Sequence, residues 1–556
     1  MASQAPIGIV GGGPVGMMLA LFLARYGVAS VLFNREEHTR FHPKGSTHNA
    51  RSMEHYRRLG FSTEVRGMGL PADHPTDVAY FTRLGGYELA RIRMPTEAER
   101  MAVVAASPTT HQVPEPIHRA NQMYVEKFLH DRVIAEPLVT RRYGWRVAAM
   151  QQDKDGVDVT AERSDGTAAE SWRFQYLVGC DGGQSFVRRA LGFRYGGFEN
   201  LQQKFMGGRM LANYLRIPTM LPQVIGRDRR AWQYTVINDE QRMVLVSLNG
   251  EDEFLLFSRA PDPDTVPDDD AVRRYLQSAT RTNVPIEVLG HTPWTAGVAL
   301  VAERFGEGRV MLAGDAVHLF TPTGGFGMNT GIDDTANLSW KLAAMVQGWG
   351  GDGLVATYEP ERRPIAVRNT TAARALAVTI GEMPAGPTLD QDSPEGEAAR
   401  QQLGAFLAAS LGEEFASLGV QLGARYDGSA IIAEDGAPPA DDSITYVPSS
   451  VPGGRAPHLW LDAGRGIGSS LYDRLGLGFT LLCLGREARD AAAFAAASRA
   501  RGIPLDILSI ADDAARDLYE RDFVLIRPDQ HVAWRGNQMP DAPEQLLERV
   551  IGAATG

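Results

Sequence analysis

Hydrophobic positions in the first thirty-four residues change period twice. "IGIV" (7–10) is a short apolar run, as a buried strand requires. Met17, Leu19, Ala20, Leu21, Leu23 and Ala24 are then apolar nearly all round, which predicts a helix buried on every side. Pro14 suits its first position and Gly27 a left-handed end. "SVLF" (30–33) is the next strand. Further on, the pattern predicts a strand in "DVAYF", a helix at about 121–134 and a hairpin turning at Asp155-Gly156. It also predicts a strand in "FQYLVGCDGG" and a β-rich stretch over 195–300 that includes "MVLVSL" and "EFLLF". Residues 309–345 read as strand, glycine-rich turn and long helix. Pro/Gly/Asp-rich text at 383–397 and 434–454 predicts domain edges. Beyond it, "GFTLLCLG", "IPLDILSI" and "DFVLIRPDQHVAWRG" surround a helix near 487–501, as in a small α/β domain.

With 556 residues, the chain is too long for one core, so two or three domains are expected. A net charge of −11 gives no overall basic field for nucleic acid or an anionic membrane. Cys180 and Cys483 are far apart, which argues against a disulfide framework, a redox pair or a cysteine metal site. The N-terminus leads directly into a strand and no run has membrane-spanning length, so the expected compartment is the cytoplasm.

Three segments carry candidate chemistry. Gly11, Gly13 and Gly16 form G-x-G-x-x-G between a strand and a helix, the pattern that brings backbone N–H groups to a dinucleotide pyrophosphate. The motif alone does not separate FAD from NAD(P). The following strand ends in Asn34 where a carboxylate is usual; its carbonyl can accept one ribose hydrogen bond without charge assistance. "GCDGGQSFVRR" places Asp181 at a turn before a short helix, where Asp and Ser also serve as caps. "GDAVHLFTPTGGFGMNTGIDD" ends a strand at Asp315 and opens a helix through Gly324-Gly325-Phe326-Gly327. There a carboxylate can accept sugar-alcohol hydroxyls, and backbone N–H groups can face developing negative charge.

In this order, and with Gln122-x-x-x-Glu126 between them, the segments resemble the class A FAD-dependent aromatic hydroxylases, the para-hydroxybenzoate hydroxylase fold group. "RSMEHYRRLG", "YEPERRP" and "VPGGRAPHLWL" followed by "GFTLL" are similar to its phenol and chlorophenol hydroxylase branch. The resemblance implies an α/β chain with an α+β middle domain. A Rossmann-like FAD-binding domain would comprise 1–75, 116–195 and 295–385. A β-sheet substrate domain would comprise 76–115 and 196–294. A helical connector (386–440) and a C-terminal thioredoxin-like domain without redox cysteines (441–556) would follow.

The implied activity is hydroxylation of a phenolic or aromatic substrate by FAD, NADPH or NADH and O2, through a flavin C4a-hydroperoxide. Natural-product tailoring, by hydroxylation or Baeyer–Villiger oxygenation, is the alternative; a non-catalytic FAD protein sheltering an aromatic ligand is a third reading. The resemblance places Gly11, Gly13, Pro14 and Gly16 on the pyrophosphate, with Asn34 and Arg35 by the adenosine. It places Arg51 and Gln122 by the pyrophosphate and ribityl chain, and makes Asp181 serve FAD and NADPH. Asp315 would bind the ribityl chain, Pro322 would lie by the flavin, and Gly325, Gly327, Met328 and Asn329 would face its pyrimidine edge. Ser46 stands where the branch has an Asp, so His48 becomes a candidate base. Arg230, Trp232 and Tyr234 alternate in "RRAWQYTVIN", and together on one strand face they would line a ring pocket. A homodimer is the common state of the group, and the sequence leaves the oligomer open.

Overall fold

The structure, a computed structural model, describes residues 3–39, 41–198, 208–238, 242–259, 268–296, 298–381, 386–485 and 491–553. Strand Ser3–Val10 lies centrally in a mixed sheet, parallel to Ala169–Gly179 on one side and Ser30–Asn34 on the other. Gly306–Glu307 and Val310–Leu312 extend one edge and Val139–Tyr143 the other. Helix Pro14–Arg25 crosses between the first two parallel strands, and Pro at its start and Gly27 at φ 75° bound it as expected. It is apolar all round because it is packed all round: the sheet, helix Gln122–Ala135 and helix Phe326–Gln347 bury Met17, Met18, Leu19, Phe22 and Leu23. The hairpin at Asp155-Gly156 is present, joining Trp145–Gln152 to Val157–Arg163.

A second sheet has seven strands, ordered Glu287–Ala296, Gly208–Arg216, Glu253–Arg259, Arg242–Ser247, Gln233–Ile237, Val78–Phe81 and Glu88–Ile92. Helix Asp269–Thr280 covers one face through Val272, Leu276 and Ala279. Leu403 and Leu407 of helix Pro394–Phe415 join the core on the other. Burial on both faces explains why "MVLVSL" and "EFLLF" are continuous apolar runs rather than alternating ones. Asp268 opens helix Asp269–Thr280, its side chain capping Ala271 N at 2.7 Å; 261–267 lie outside the described residues.

The C-terminal sheet is ordered Leu505–Ile510, Phe479–Leu484, Phe523–Ile526 and Val532–Gly536. Its first two strands in sequence are parallel and the last two form an antiparallel hairpin, with helices between and after them: the thioredoxin-like arrangement. Cys483 is buried on its first strand and forms no disulfide. Phe479 meets Trp340 of the long helix edge-on, at 5.9 Å between centroids.

Charge also fastens this domain. Arg455 pairs with Glu54 and Arg527 with Glu361, all four side chains essentially inaccessible to solvent. Lys341 also reaches Glu361, at 2.7 Å. Burial opposes ionisation of Glu361, but Arg527 and Lys341 outweigh it and hold the carboxyl at about 2. Among the described residues no helix is long and apolar enough to cross a membrane.

Arg455→Met leaves Glu54 buried with only one of its two arginines, and unfolding stability should fall by about 3–5 kcal/mol, measured by urea denaturation. Because Glu361 titrates lower in the folded than in the unfolded chain, its contribution is complete above its ordinary value of 4.5. The urea midpoint should therefore decline as pH falls from there towards about 2, and Glu361→Gln should flatten that part of the profile.

Candidate functional site

The three glycines of the first turn do different work. A Cβ on Gly11, at φ 113°, would lie 2.2 Å from the Cys180 carbonyl oxygen, and one on Gly16 would lie 1.9 Å from the Gly11 oxygen. Those two let strand, turn and helix pack. A Cβ on Gly13 would meet nothing within 4 Å, and no side chain caps the helix that begins at Pro14. Open space therefore lies beside uncapped helical N–H groups, the arrangement that receives a phosphate. Asn34 closes this turn: its Oδ1 accepts from Gly12 N at 3.2 Å and its Nδ2 donates to Glu36 O at 3.0 Å. Arg35 next to it is exposed and pairs with Glu36.

Asp181 follows the strand that touches Gly11. Its Oδ2 accepts from Phe186 N (2.7 Å) and Val187 N (3.1 Å), so it helps start the short helix Phe186–Ala190. Its buried Oδ1 has no hydrogen-bond partner among the described residues. Arg188 of that helix donates to Ala316 O and Gly183 O, both at 3.1 Å, and lies 3.8 Å over the Tyr195 ring. Tyr195 Oη donates to Asp315 O. Backbone contacts thus tie the Asp181 turn to the Asp315 turn.

Asp315 makes no side-chain hydrogen bond to a described residue and faces a cavity of about 320 Å³. The protein atoms around it push its pKa up through desolvation, although the residue is exposed to the cavity. The opposite bank is the start of helix Phe326–Gln347. Gly324 and Gly325 adopt φ 74° and 65°, conformations that favour glycine, and no side chain caps the helix. Pro322, Gly325, Gly327 and Met328 line the cavity. The Asn329 side chain turns inward, donating to Thr47 O (2.9 Å) and Gly325 O (2.6 Å) and accepting from Asn49 N.

One face of the seven-stranded sheet closes the cavity through Trp232, Gln233, Val246 and Phe257. Lys44, Ser46, Thr47, Arg119 and Gln122 form its side. The Arg119 guanidinium lies 3.8 Å from the Trp232 ring centroid and donates to Thr47 Oγ1. Ser46 Oγ accepts from Asn121 Nδ2 at 3.0 Å. Gln122 opens the helix Gln122–Ala135 and donates to Glu126.

Four expectations need correction. His48 is wholly buried, bonded through Nδ1 to Tyr56 Oη at 3.0 Å, and lies behind the cavity wall that Thr47 forms. Burial lowers its pKa to about 3, so it is a neutral structural residue rather than a base for a cavity ligand. Arg51 does not reach the cavity; it bonds Asp333, Glu54, Gln530 Oε1 and Asp529 O. Arg230 and Tyr234 do not share a pocket face with Trp232. The strand begins at Gln233, so the chain bends before alternation sets in. Tyr234 enters the core on the other face, bonded to Ala231 N, while Arg230 bonds Arg227 O near the surface. Lys44 and Arg119 went unforeseen: neither belongs to a spacing motif, and only the fold brings their segments to the sheet.

The model of the FAD binding domain family matches residues 4–373, and that of the aromatic-ring hydroxylase C-terminal family matches 449–554. Tetracenomycin B2 monooxygenase-dioxygenase of Streptomyces olivaceus is 31% identical, over 99% of this chain and 98% of its own. The 2,4-dichlorophenol 6-monooxygenase of Cupriavidus pinatubonensis is 30% identical, over 98% and 96%. The solved structure of the rebeccamycin biosynthetic enzyme RebC with reduced flavin superposes with a TM-score of 0.88 at 34% identity, over 100% of both chains.

The glycine geometry separates two substitutions in one motif. Gly13→Val should abolish FAD retention, read by flavin absorbance after gel filtration, while costing about 1 kcal/mol or less in stability. Gly16→Ala should instead lower stability by about 1–3 kcal/mol, because its Cβ meets backbone.

Proposed function

Because the chain belongs to the FAD-dependent aromatic-ring hydroxylases, we propose that it carries FAD from the Gly11–Gly16 turn to the Pro322–Met328 turn and oxygenates a phenolic ring held against the seven-stranded sheet. The observation that carries this reading is the two-walled cavity, with a glycine turn and a helix start on one wall and Trp232 and Phe257 on the other.

The residues present fit the cofactor. Gly13 leaves room for a pyrophosphate beside uncapped N–H groups. Asp315 offers an open carboxylate suited to ribityl hydroxyls. The uncapped first turn at Phe326–Met328 offers N–H donors suited to the electron-rich pyrimidine edge. Asn34 would hold the glycine turn, with its Oδ1 shared between Gly12 and a ribose hydroxyl. FAD reduced by NADH or NADPH supplies the electrons that split O2, one oxygen entering the ring and the other leaving as water.

The protein's part is placement and exclusion of water. Trp232, Val246 and Phe257 offer an apolar floor to an aromatic ring, and Gln233 and Arg119 offer polar contacts at its rim. Holding the ring against a fixed oxygen donor replaces a chance encounter by a positioned one. Tailoring of a larger natural-product aromatic is the second reading, favoured by likeness to the tetracenomycin and rebeccamycin enzymes.

With purified flavoprotein, a fitting phenol, hydroxybenzoate or polycyclic phenol should raise NAD(P)H oxidation about tenfold or more over the rate without substrate. The product should carry one labelled atom from 18O2. Unstimulated oxidation across such a panel, with no labelled product, contradicts the proposal.

A further inference from the structure

We propose that Glu126 supplies the charged acceptor for the adenosine ribose of FAD, in place of the carboxylate that the strand end at residue 34 lacks. This deepens the reading of the Gly11–Gly16 turn as an FAD site and rests on it. Asn34 is already engaged within the protein. Its Oδ1 accepts from Gly12 N, and its Nδ2 donates to Glu36 O, which also accepts from Gly144 N at 3.0 Å. The amide thereby ties together the ends of strands Ser30–Asn34 and Val139–Tyr143, with a bond to a carbonyl that a carboxylate could not donate. What it leaves for a ligand is one neutral lone pair.

Glu126 is in the opposite condition. It is only 6% exposed, yet it forms no ion pair among the described residues. Its side chain accepts one hydrogen bond, from Gln122 Nε2 to Oε1. Oε2 has no partner and keeps contact with solvent, whereas the nearby Tyr143 Oη is sealed in. A glutamate buried to this degree is ordinarily paired with a cation or fully hydrogen-bonded, so a free oxygen here calls for a ligand.

The fold places that oxygen beside the glycine turn. Gln122, Glu126 and His130 recur every four residues, so they share one face of helix Gln122–Ala135 and span about 12 Å along it. Gln122 lines the cavity at one end. At the other, the His130 ring meets Tyr143 edge-on at 4.9 Å. Tyr143 is the register partner of Asn34, and its Oη would lie 3.2 Å from a Cβ on Gly12. Burial raises the Tyr143 phenol above its usual value and the Glu126 charge adds to it, so the carboxylate is close enough to act there. The face thus runs from the flavin end of the site to the adenosine end, with Glu126 between.

Chemistry selects the group it meets. A carboxylate only accepts hydrogen bonds, and a phosphate beside it would repel it. The part of the adenosine half that carries donors next to the phosphates is the ribose diol. With Oε1 held by Gln122, Oε2 points in one direction and loses little freedom on binding. The charge assistance absent from Asn34 returns from a different element.

The test uses the flavin-loaded protein. Bound FAD is exchanged for an FAD analogue whose adenosine ribose lacks both hydroxyls, and release of each flavin on dilution is followed by fluorescence. The native protein should release the analogue about tenfold or more faster than FAD. Glu126→Gln keeps the side chain's shape and an oxygen for Gln122 but removes the charge. It should release FAD about tenfold or more faster than the native protein does, and the analogue within about threefold of the native rate. Equal release of the two flavins by the native protein, which needs no variant, would overturn the proposal. So would unchanged FAD release from Glu126→Gln. Equal acceleration of both flavins, or failure of that variant to fold, would mark a structural role and overturn it as well. A native protein that retains neither flavin would sink the FAD reading itself, and this inference with it.

Discussion

Two adjacent carboxylates inside one helix set the geometry on which the site depends. Asp334 accepts from Gly314 N (3.1 Å) and His318 Nε2 (2.7 Å), and its other oxygen accepts from Arg362 Nε at 2.8 Å. The strand end that carries Asp315 is thereby fixed to the helix whose first turn lines the cavity. Asp333, a residue earlier and rotated round the axis, takes Arg51, His55 and Arg362. Arg51 continues to the backbone of Asp529, so the same cluster reaches the C-terminal domain. Burial alone would neutralise such carboxyls, but Arg362 and its neighbours hold Asp333 well below the ordinary range. Removing one partner from such a cluster costs more than the intact pair contributes, because a desolvated charge remains.

The other wall is made differently. The seven-stranded sheet is apolar on both faces and offers the cavity a flat surface with few charges. Rigid polar geometry on the helix side thus faces an apolar floor on the sheet side, the division on which the proposed placement of cofactor and ring rests. On that floor the Arg119 guanidinium stacks on the Trp232 ring at 3.8 Å.

Much of the fold is legible in the sequence because its signals are local. Strand, glycine turn and helix follow one another within a few dozen residues, and each of the three glycines has a steric or spatial reason visible in the structure. The misplaced residues fail for two reasons. His48 and Arg51 are near the nucleotide motifs in sequence, but burial and partners decide their roles, and neither is written in spacing. Trp232 and Tyr234 alternate in the text, yet a strand that begins one residue after Trp232 puts them on different sides. Lys44 and Arg119 come from segments 75 residues apart, so no window of sequence could pair them with the sheet.

The dependence of both cavity-lining turns on one carboxylate is tested most directly by amide hydrogen exchange on Asp334→Ala. The account predicts that 313–318 and 325–330 lose protection together, while the Gly11–Gly16 turn and strand Ser3–Val10 keep theirs. Loss confined to one of the two turns, or unchanged protection in both, would contradict it.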